Sequence, residues 1–475
     1  MRFKYSSIYF CQARHSISLN NAQCYSFCYL LHVSSPFDNC GIVILSIIYT
    51  YVYYYINVYF RSTKRSRWNI MDRTKNNTLK IYLFVFISFL LGTLQFVFVG
   101  ILDKVAASVG VSVSAAGQLM TSFALASAIG TPIIMMATAK MDRRKLLLLS
   151  LAVIILSTIS TVALPGFGFM IASRIALGIG FGVYGVCAFS IVEKLAPEGR
   201  KASALSNLAM GFSAALVIGI PIARLITAAY DWKVIFWGIG LLSLIAFFAV
   251  ARAIPATQGE ALISLGRQLA LLKKPKIVIA LGVTFLMFIS YSVINTYITP
   301  LLTSLMPTIE QQISVILFGL GVASLIGSKL GGFLADHIGA ARTLVCGMAV
   351  QAIALVLISI IPGSVIVTIP LLMIWAIAAW TAGPTLNFNL ISIAPEASGI
   401  MLSLNNTFVQ LGFAAGASIG GIIVGSSSLT AISWIGAASV ALAACFAAFS
   451  FGPAVRSQAR KQEASEFVTE DTQLN

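Results

Sequence analysis

Long apolar runs recur along this chain at nearly regular intervals, and they constrain its fold more than any other feature. From residue 81 onward there are twelve such runs, each near the ~20 residues that an α-helix needs to cross a bilayer. They cover 81–102, 113–138, 146–164, 167–191, 203–228, 232–253, 277–302, 311–334, 342–361, 366–392, 399–424 and 429–452. Because 58% of the residues are hydrophobic and only 10% are charged, against roughly 25% charged in soluble domains, the sequence predicts an all-α polytopic membrane protein.

A polar segment divides the runs into two groups of six. Residues 253–276 hold several basic side chains between the sixth and seventh runs, so we expect a cytoplasmic linker there. The pattern predicts a six-helix N-terminal half at 71–252 and a six-helix C-terminal half at 277–452, arranged as pseudo-repeats around a central cavity. Residues 453–475 are expected to form a cytoplasmic tail.

The distribution of basic residues predicts how the chain is oriented. A net charge of +16 would suit a nucleic-acid partner, but the Lys and Arg residues lie in short links rather than on one face, which argues against that class. The basic links hold Lys140, Arg143, Arg144, Lys145, Lys194, Arg200, Lys201, Arg342, Arg456, Arg460 and Lys461. The opposite links hold almost only Lys104 and Lys233. The positive-inside rule therefore predicts a multi-pass protein of the cell (inner) membrane, with the leader at Met71 and the C-terminus in the cytoplasm.

Residues 1–70 differ in composition from the rest of the chain. They contain four of the seven cysteines and two of the three histidines, without the order of segments that defines a signal peptide. Residues 41–60 are apolar and about long enough to span a membrane, so an additional N-terminal helix is one interpretation. We prefer the alternative in which Met71, the first residue of the basic leader MDRTKNNTLK, is the natural start and 1–70 is an extension.

A short charged link occurs at matching places in the two halves. Asp336, in GGFLADHIGAAR, follows the second run of its group, and Asp142, in KMDRRK, follows the second run of the first group 194 residues earlier (336 − 142). We expect these links to form an inner gate, whose acids pair with cations or helix ends in one state and release them in the other. The predicted gate residues are Asp142, Arg143, Arg144, Lys145, Gly332, Asp336, Gly339 and Arg342.

These links resemble the signature of the major facilitator superfamily, which reads roughly G-x-x-x-D-R-x-G-R-R. The second copy matches at Gly332, Asp336, Gly339 and Arg342, while the first has Thr138 at the glycine position. Three further stretches are similar to the drug/metabolite:proton antiporter branch, and within it to bacterial purine, nucleoside and sugar efflux permeases. They are GVSVSAAGQL from Gly110, MIWAIAAW with its following GP from Met373 to Pro384, and IAPEASGIMLSLNNTFVQLG from Ile393 to Gly412.

The fifth run carries small residues at four-residue spacing. Gly211, Ala215 and Gly219 leave one helix face nearly free of side chains, and Pro221 bends the helix. A face of this kind could also serve only for close packing against a neighbouring helix, which is the alternative interpretation. The resemblance of GFSAALVIGIP to the family's fifth-helix antiporter pattern implies instead a hinge at Gly211, Gly219 and Pro221.

Polar side chains inside the runs are candidates for a substrate cavity, because such groups are costly in a membrane unless they line a cavity or pair. The candidates are Gln95, Arg174, Asn207, Tyr291, Asn295, Trp380, Asn387, Asn389, Asn405, Asn406 and Gln410. The amides suit heterocyclic bases or sugar hydroxyls, since each has both donors and an acceptor. Taken singly, an amide more often bonds a neighbouring helix, and Arg174 alone would be explained by snorkelling to a membrane surface.

No Asp or Glu lies at the centre of a run, although proton antiport normally uses a buried carboxylate. Asp103 and Glu193, near the ends of runs, remain as possible proton sites. The expected function is proton-coupled efflux of a small polar metabolite or drug by a monomeric secondary transporter. A proton-independent facilitator or uptake carrier is the alternative, and a receptor or sensor without transport is a third. An enzyme, a metal site and a cofactor are not predicted, because His337 is the sole histidine after Met71.

Overall fold

The computed structural model describes residues 68–197, 200–255, 271–305, 312–361, 364–394, 397–426, 429 and 431–449. The chain divides into two compact units, Met1–Asp72 and Arg73–Asn475, and the architecture below is that of the second. The predictions for a helix at 41–60 and for the tail at 453–475 lie outside the described residues, as does most of the linker.

Within the described residues, twelve helices are long and apolar enough to cross a membrane, which confirms the fold class predicted from the runs. The N-terminal six are α1 (Trp68–Val109), α2 (Val113–Ala137), α3 (Arg143–Ala163), α4 (Phe167–Leu195), α5 (Lys201–Ala214, a π-helical turn at Ala215–Gly219, and Ile220–Ala229) and α6 (Lys233–Ala253). The C-terminal six are α7 (Pro275–Thr296, continued by Ile298–Leu305), α8 (Ile313–Ile338), α9 (Ala340–Ile360), α10 (Val365–Ile393), α11 (Ser398–Ser426) and α12 (Ala431–Phe449).

Local chemistry fixes several of the short links. The Ser112 hydroxyl accepts a hydrogen bond from the Ala115 amide at 3.1 Å and so caps α2, and the Asp142 carboxylate caps α3 by accepting from the Arg144 amide at 2.7 Å. Gly110 and Gly339 have φ of 73° and 90°, a region that glycine enters without steric cost. These residues turn the chain between α1 and α2 and between α8 and α9.

The two halves repeat the same helix packing. In the first half α4 packs against α2 and α3, and in the second half α10 packs in the same way against α8 and α9. Between the halves, α2 packs along α11 and α5 along α8. The central cavity therefore has walls from both halves, with these two helix pairs at their seam.

Matching sequences mark a second equivalence between the halves. GFSAALVIG at 211–219 of α5 recurs as GFAAGASIG at 412–420 of α11. On α5, a Cβ added at Gly211 would collide with the Val85 carbonyl of α1, and on α11, a Cβ added at Gly416 would collide with the Ile289 carbonyl of α7. These small residues therefore let α5 pack directly on the backbone of α1, and α11 on the backbone of α7.

Candidate functional site

A small cavity lies where the two halves meet; its volume is about 10 Å³, room for about one water molecule. It is lined by Gln95 and Phe96 of α1, Met120, Phe123 and Ala124 of α2, Ser292 of α7 and Phe413 of α11. The rings of Phe96 and Phe413 face each other from the two halves, with centroids 5.9 Å apart. Aromatic side chains of both halves therefore bound this cavity.

Gln95 brings a carboxamide to this largely apolar lining. The other polar lining residue, Ser292, is engaged elsewhere, because its hydroxyl donates to the Phe413 carbonyl at 2.8 Å. Gln95, one of the predicted substrate residues, is 8% exposed and lies on the cavity wall. It is thus placed to form hydrogen bonds with a ligand.

Arg174 lies behind the cavity wall rather than in it. Its side chain is 0% exposed, so it does not reach a membrane surface as a snorkelling residue would. Nη1 donates to the Leu94 carbonyl at 2.8 Å, and Cζ lies 3.9 Å from the centroid of the Phe98 ring. Nε and Nη2 have no hydrogen-bond partner among the described residues. Phe123, whose ring centroid is 5.9 Å from Cζ, separates the guanidinium from the cavity.

An aromatic cluster supports the cavity wall from the C-terminal half. Tyr291 stacks on Trp375 with centroids 5.4 Å apart and planes at 8°, and Trp380 Nε1 donates to the Tyr291 hydroxyl at 3.2 Å. The Tyr291 ring also meets the cavity residue Phe413 at right angles, with centroids 5.9 Å apart. The structure thus brings together Tyr291 and Trp380, two of the predicted cavity residues, and places them behind the lining. Trp375 was not predicted, although the same stretch MIWAIAAW contains it.

Two of the predicted amides connect helices to one another. The Thr284 hydroxyl donates to Asn405 Oδ1 at 2.9 Å, and Asn405 Nδ2 donates to Asn387 Oδ1 at 2.8 Å. This chain of hydrogen bonds joins α7, α11 and α10, which is the ordinary structural use of an amide in a membrane.

The remaining predicted amides lie outside the cavity lining in this conformation, and they differ in exposure. Asn207 is half-buried and Asn406 is exposed. Asn295, Asn389 and Gln410 are buried, and the amide nitrogen of each lacks a partner among the described residues.

One end of the bundle is closed by contacts between the halves, and we call it the sealed end. It is the end where α1 is linked to α2, α5 to α6, α7 to α8 and α11 to α12. The Ser114 hydroxyl donates to the Gly421 carbonyl at 2.5 Å, and the Ser418 hydroxyl donates to Thr121 Oγ1 at 3.1 Å. The Thr299 hydroxyl adds a bond from α7 to the Val99 carbonyl of α1 at 2.7 Å.

Tyr297 occupies a slot between α2 and α11 at the sealed end. A Cβ on Gly117 would collide with its hydroxyl, and Cβ atoms on Gly420 or Gly421 would lie 2.6 and 2.8 Å from ring or hydroxyl atoms. The hydroxyl donates to the Ala417 carbonyl at 2.9 Å. The slot exists because all three positions lack side chains.

The second contact between the halves involves the π-helical turn of α5. A Cβ at Gly321 of α8 would collide with the backbone of Val217 and Leu216, which belong to that turn. Pro221 follows the turn and has no N–H to donate to the helix. The structure thus places an irregular segment where the sequence predicts a hinge, and π-turns of this kind often occur at functional sites.

An ion pair joins α1 to α5 near the sealed end. Nη1 of Arg224 lies 2.8 and 2.9 Å from the two carboxylate oxygens of Asp103 and also donates to the Gly100 carbonyl at 3.3 Å. Asp103 was one of the possible proton sites, whereas Arg224 was missed. The signal was present, since Arg224 is the cation inside the fifth apolar run.

The opposite end, which carries Asp142 and Asp336, is here called the charged end. Asp142 caps α3, and Arg144 Nη2 donates to the Ala251 carbonyl of α6, so these bonds stay within the N-terminal half. The expected polar link around Asp336 is largely helical, because α8 continues to Ile338 and breaks only at Gly339. Asp336 is exposed in the last turn of α8, and Glu193 and Lys201 form an exposed pair at 3.6 Å.

The comparisons with known proteins agree with this architecture. The family model of the Major Facilitator Superfamily matches residues 84–417, more than half of the chain, and again residues 280–471. The chain belongs to the Major Facilitator Superfamily. It is 42% identical over 368 residues to the uncharacterized MFS-type transporter YbcL of Bacillus subtilis (strain 168), a match that covers 78% of this chain and 94% of that protein.

Two solved transporter structures share the fold at low sequence identity. A bacterial homolog of the human lysosomal transporter Spinster, inward-facing and unoccupied, matches with a TM-score of 0.61 and 16% identity over 80% of this chain and 97% of that one. The human organic anion transporter MFSD10 (TETRAN) matches with a TM-score of 0.59 and 15% identity over 79% of this chain and 99% of the other. As a member of the superfamily the chain is a multi-pass membrane transporter and not an enzyme.

Proposed function

We propose that this superfamily member is a secondary active transporter that exports a small polar metabolite of the purine, nucleoside or sugar type, or a drug, by alternating access. The observation that supports this most directly is the cavity lined by both halves, which lies next to contacts that close one end of the bundle. A solute held there touches helices that must separate when the sealed end opens. Binding and rearrangement are therefore connected through the same residues, and one monomer is sufficient.

The direction of the cycle follows from the expected orientation in the cell (inner) membrane. With the basic links in the cytoplasm, the charged end faces inward, and the described conformation is closed toward the outside. Opening outward requires α2 to leave α11 and α5 to leave α8. In that state Asp142 and Asp336 would approach cations and helix ends of the opposite half, so that the inner gate closes.

Proton coupling has Asp103 as its best-placed carboxylate. Its pairing with Arg224 connects α1 to the α5 segment beyond the π-turn, so protonation would release that segment from α1. Glu193 is exposed and, within the described part of the chain, pairs with an exposed lysine, which makes it the weaker candidate. The lining residues of the cavity include no carboxylate, and this observation favours the alternative, a facilitator or uptake carrier that does not use protons.

A flux measurement in proteoliposomes distinguishes these functions. Purified protein is reconstituted, and exchange of radiolabelled purines, nucleosides and sugars is followed with and without an imposed pH gradient. Proton antiport predicts accumulation on the acidic side that collapses when an ionophore removes the gradient. Equal flux in both conditions would identify a facilitator, and absence of flux for every solute would refute transport of this class.

A further inference from the structure

We propose that α5 and α8 form a lateral groove that binds an anionic phospholipid from the membrane leaflet at the charged end, with the headgroup phosphate on Lys329. This groove is a surface separate from the small cavity between the halves. The inference does not depend on which solute the transporter carries, and its test measures lipid binding rather than flux.

The groove exists because the packing of α8 on α5 is concentrated toward the sealed end. α8 packs chiefly on the π-helical turn Ala215–Gly219 and on the segment Ile220–Ala229 beyond it. The other segment of α5, Lys201–Ala214, leads from the turn back to the charged end. The side of this segment that continues the contact with α8 is therefore free to face a ligand.

Exposed side chains mark that side of α5. Met210 lies two helical turns before Val217, the residue of the π-helical turn that contacts α8. Ser206 and Ser203 follow Met210 at four- and three-residue spacing, so all three share one helix face. Met210 is 52% exposed, and both serines are exposed. This face forms one wall of the groove.

The other wall is the corresponding face of α8. It begins at Gly321, where an added Cβ would collide with the backbone of Val217. Leu325, Lys329 and Asp336 follow toward the charged end at spacings of four, four and seven residues, which keeps them on the same face. All three are exposed. The face that touches α5 at the turn is thus uncovered beyond it.

The groove changes from apolar to polar along its length. Met210 and Leu325 lie nearest the π-helical turn, whereas Ser203, Ser206 and Lys329 lie nearer the charged end. A phospholipid has the same order, with acyl chains toward the bilayer centre and a phosphate toward the surface. The hydroxyls and the ammonium are donors that suit phosphate oxygens.

Lys329 lies within the membrane-spanning part of α8. The helix has 26 residues, about 39 Å, against a hydrocarbon core of about 30 Å. Lys329 precedes the last residue, Ile338, by nine residues, about 13 Å, so its backbone lies below the headgroups when α8 is centred in the bilayer. A cation at that depth is costly, and its flexible stem directs the ammonium toward the lipid phosphates.

The ammonium of Lys329 has no ion pair or hydrogen bond within the described part of the chain. Asp336, the acid of the same helix, is exposed and lies two turns further on, about 10 Å along the axis. An anionic headgroup supplies a counter-charge at this position. The groove should therefore prefer an anionic lipid to a zwitterionic one.

Native mass spectrometry of the full-length protein in detergent tests the assignment. Delipidated protein is titrated with phosphatidylglycerol or with phosphatidylcholine of the same acyl chains, and the dissociation constants of the first bound lipid are compared. A lysine close to an anionic headgroup contributes roughly fivefold in affinity. We therefore expect phosphatidylglycerol to bind about fivefold more tightly than phosphatidylcholine.

Variants separate the groove from the general surface charge. Lys329→Gln should remove the preference, and Lys329→Arg should keep it. Lys276→Gln, which removes an exposed cation of α7 at the same end, should leave it unchanged. Ser206→Trp fills the groove at an exposed position without changing the charge, so it should weaken the binding of both lipids. This variant keeps the proposal testable if Lys329→Gln fails to fold.

Several outcomes would overturn the assignment. These are equal affinities of the wild type for the two lipids, no binding of either lipid, or an unchanged preference in Lys329→Gln. The same loss of preference in Lys276→Gln as in Lys329→Gln would assign the effect to general surface charge. Wild-type lipid affinities in Ser206→Trp would show that the lipid does not occupy the groove.

Discussion

Tyr297 shows how a single side chain keeps the two halves together. Its ring lies on α7 but fills a slot whose other walls are Gly117 of α2 and Gly420 and Gly421 of α11. The closest approach to Gly117 is made by the hydroxyl oxygen. Any side chain on Gly117 must therefore displace the tyrosine or separate the halves.

We predict that Gly117→Ala weakens the sealed end. The overpacking should destabilise the closed conformation of the sealed end by about 2 kcal/mol. The sealed end should then open more often, so that a thiol introduced there by Ser418→Cys reacts faster with a membrane-impermeant maleimide. Gly185→Ala is the matched control, because a Cβ there meets nothing within 4 Å. Adding Tyr297→Phe to Gly117→Ala should restore part of the protection, since it removes the hydroxyl oxygen, which lies nearest, while ring Cζ stays 2.6 Å from the added Cβ. Equal labelling of Gly117→Ala and Gly185→Ala would contradict this account of the slot.

At the scale of elements, α5 differs in geometry from its counterpart α11. Its sequence repeat with α11 predicts two similar helices, yet Ala215–Gly219 forms a π-helical turn whereas Ser398–Ser426 is regular α-helix. Pro221 follows the turn in α5, and Ile422, a residue with an N–H, holds the corresponding position in α11. We attribute the difference to this proline, because the missing donor disrupts the regular hydrogen-bond ladder.

The contact of this turn with α8 leads to a prediction about Gly321. The substitution Gly321→Val places a side chain against the backbone of Val217, so the α5–α8 seam should no longer close. Transport should fall at least tenfold while insertion into the membrane stays normal. Gly282→Val on α7 is the control, because a Cβ added at Gly282 meets nothing within 4 Å. Wild-type flux in Gly321→Val would show that the seam does not need to close.

Much of the element level could be predicted from the sequence, because membrane spans depend on local length and hydropathy. The predicted run 113–138 corresponds to Val113–Ala137, and 167–191 to Phe167–Leu195. The run 311–334 ends too early, since the charged residue Asp336 was assigned to a link although the helix continues to Ile338. Hydropathy shows where the apolar residues end. The helix itself ends only where the backbone turns, which for α8 is at Gly339.

The site was less predictable, because it depends on which helices become neighbours. Gln95 was predicted and lies on the cavity wall, while Asn405 is hydrogen-bonded to Asn387 and Thr284. Tertiary packing decides whether an amide faces a ligand or another helix. The spacing of residues along one helix does not reveal which helices will be its neighbours. The pairing of Asp103 with Arg224 spans 121 residues and was missed for the same reason.

At the scale of the whole molecule, the proposed mechanism moves two six-helix halves against each other around the cavity. Helix packing within each half is repeated between the halves, and at the seam α2 packs along α11 just as extensively, with close glycine contacts and hydrogen bonds between the halves. Rigid-body motion of this kind breaks contacts at the seam and preserves those inside each half. A covalent link across the seam should therefore block transport, whereas a covalent link inside one half should leave transport unchanged.

The most direct test is a disulfide across the sealed end. Thr121→Cys and Ser418→Cys are combined after the native cysteines have been replaced, since the hydroxyl oxygens at these positions are 3.1 Å apart and sulfurs there come within bonding reach. The control pair, Ser160→Cys with Ser173→Cys, has oxygens 2.8 Å apart and joins α3 to α4 inside one half. We predict that oxidation abolishes transport only for the first pair and that a reductant restores it. Full transport by the oxidised protein cross-linked between Thr121 and Ser418 positions would contradict alternating access by movement of the two halves.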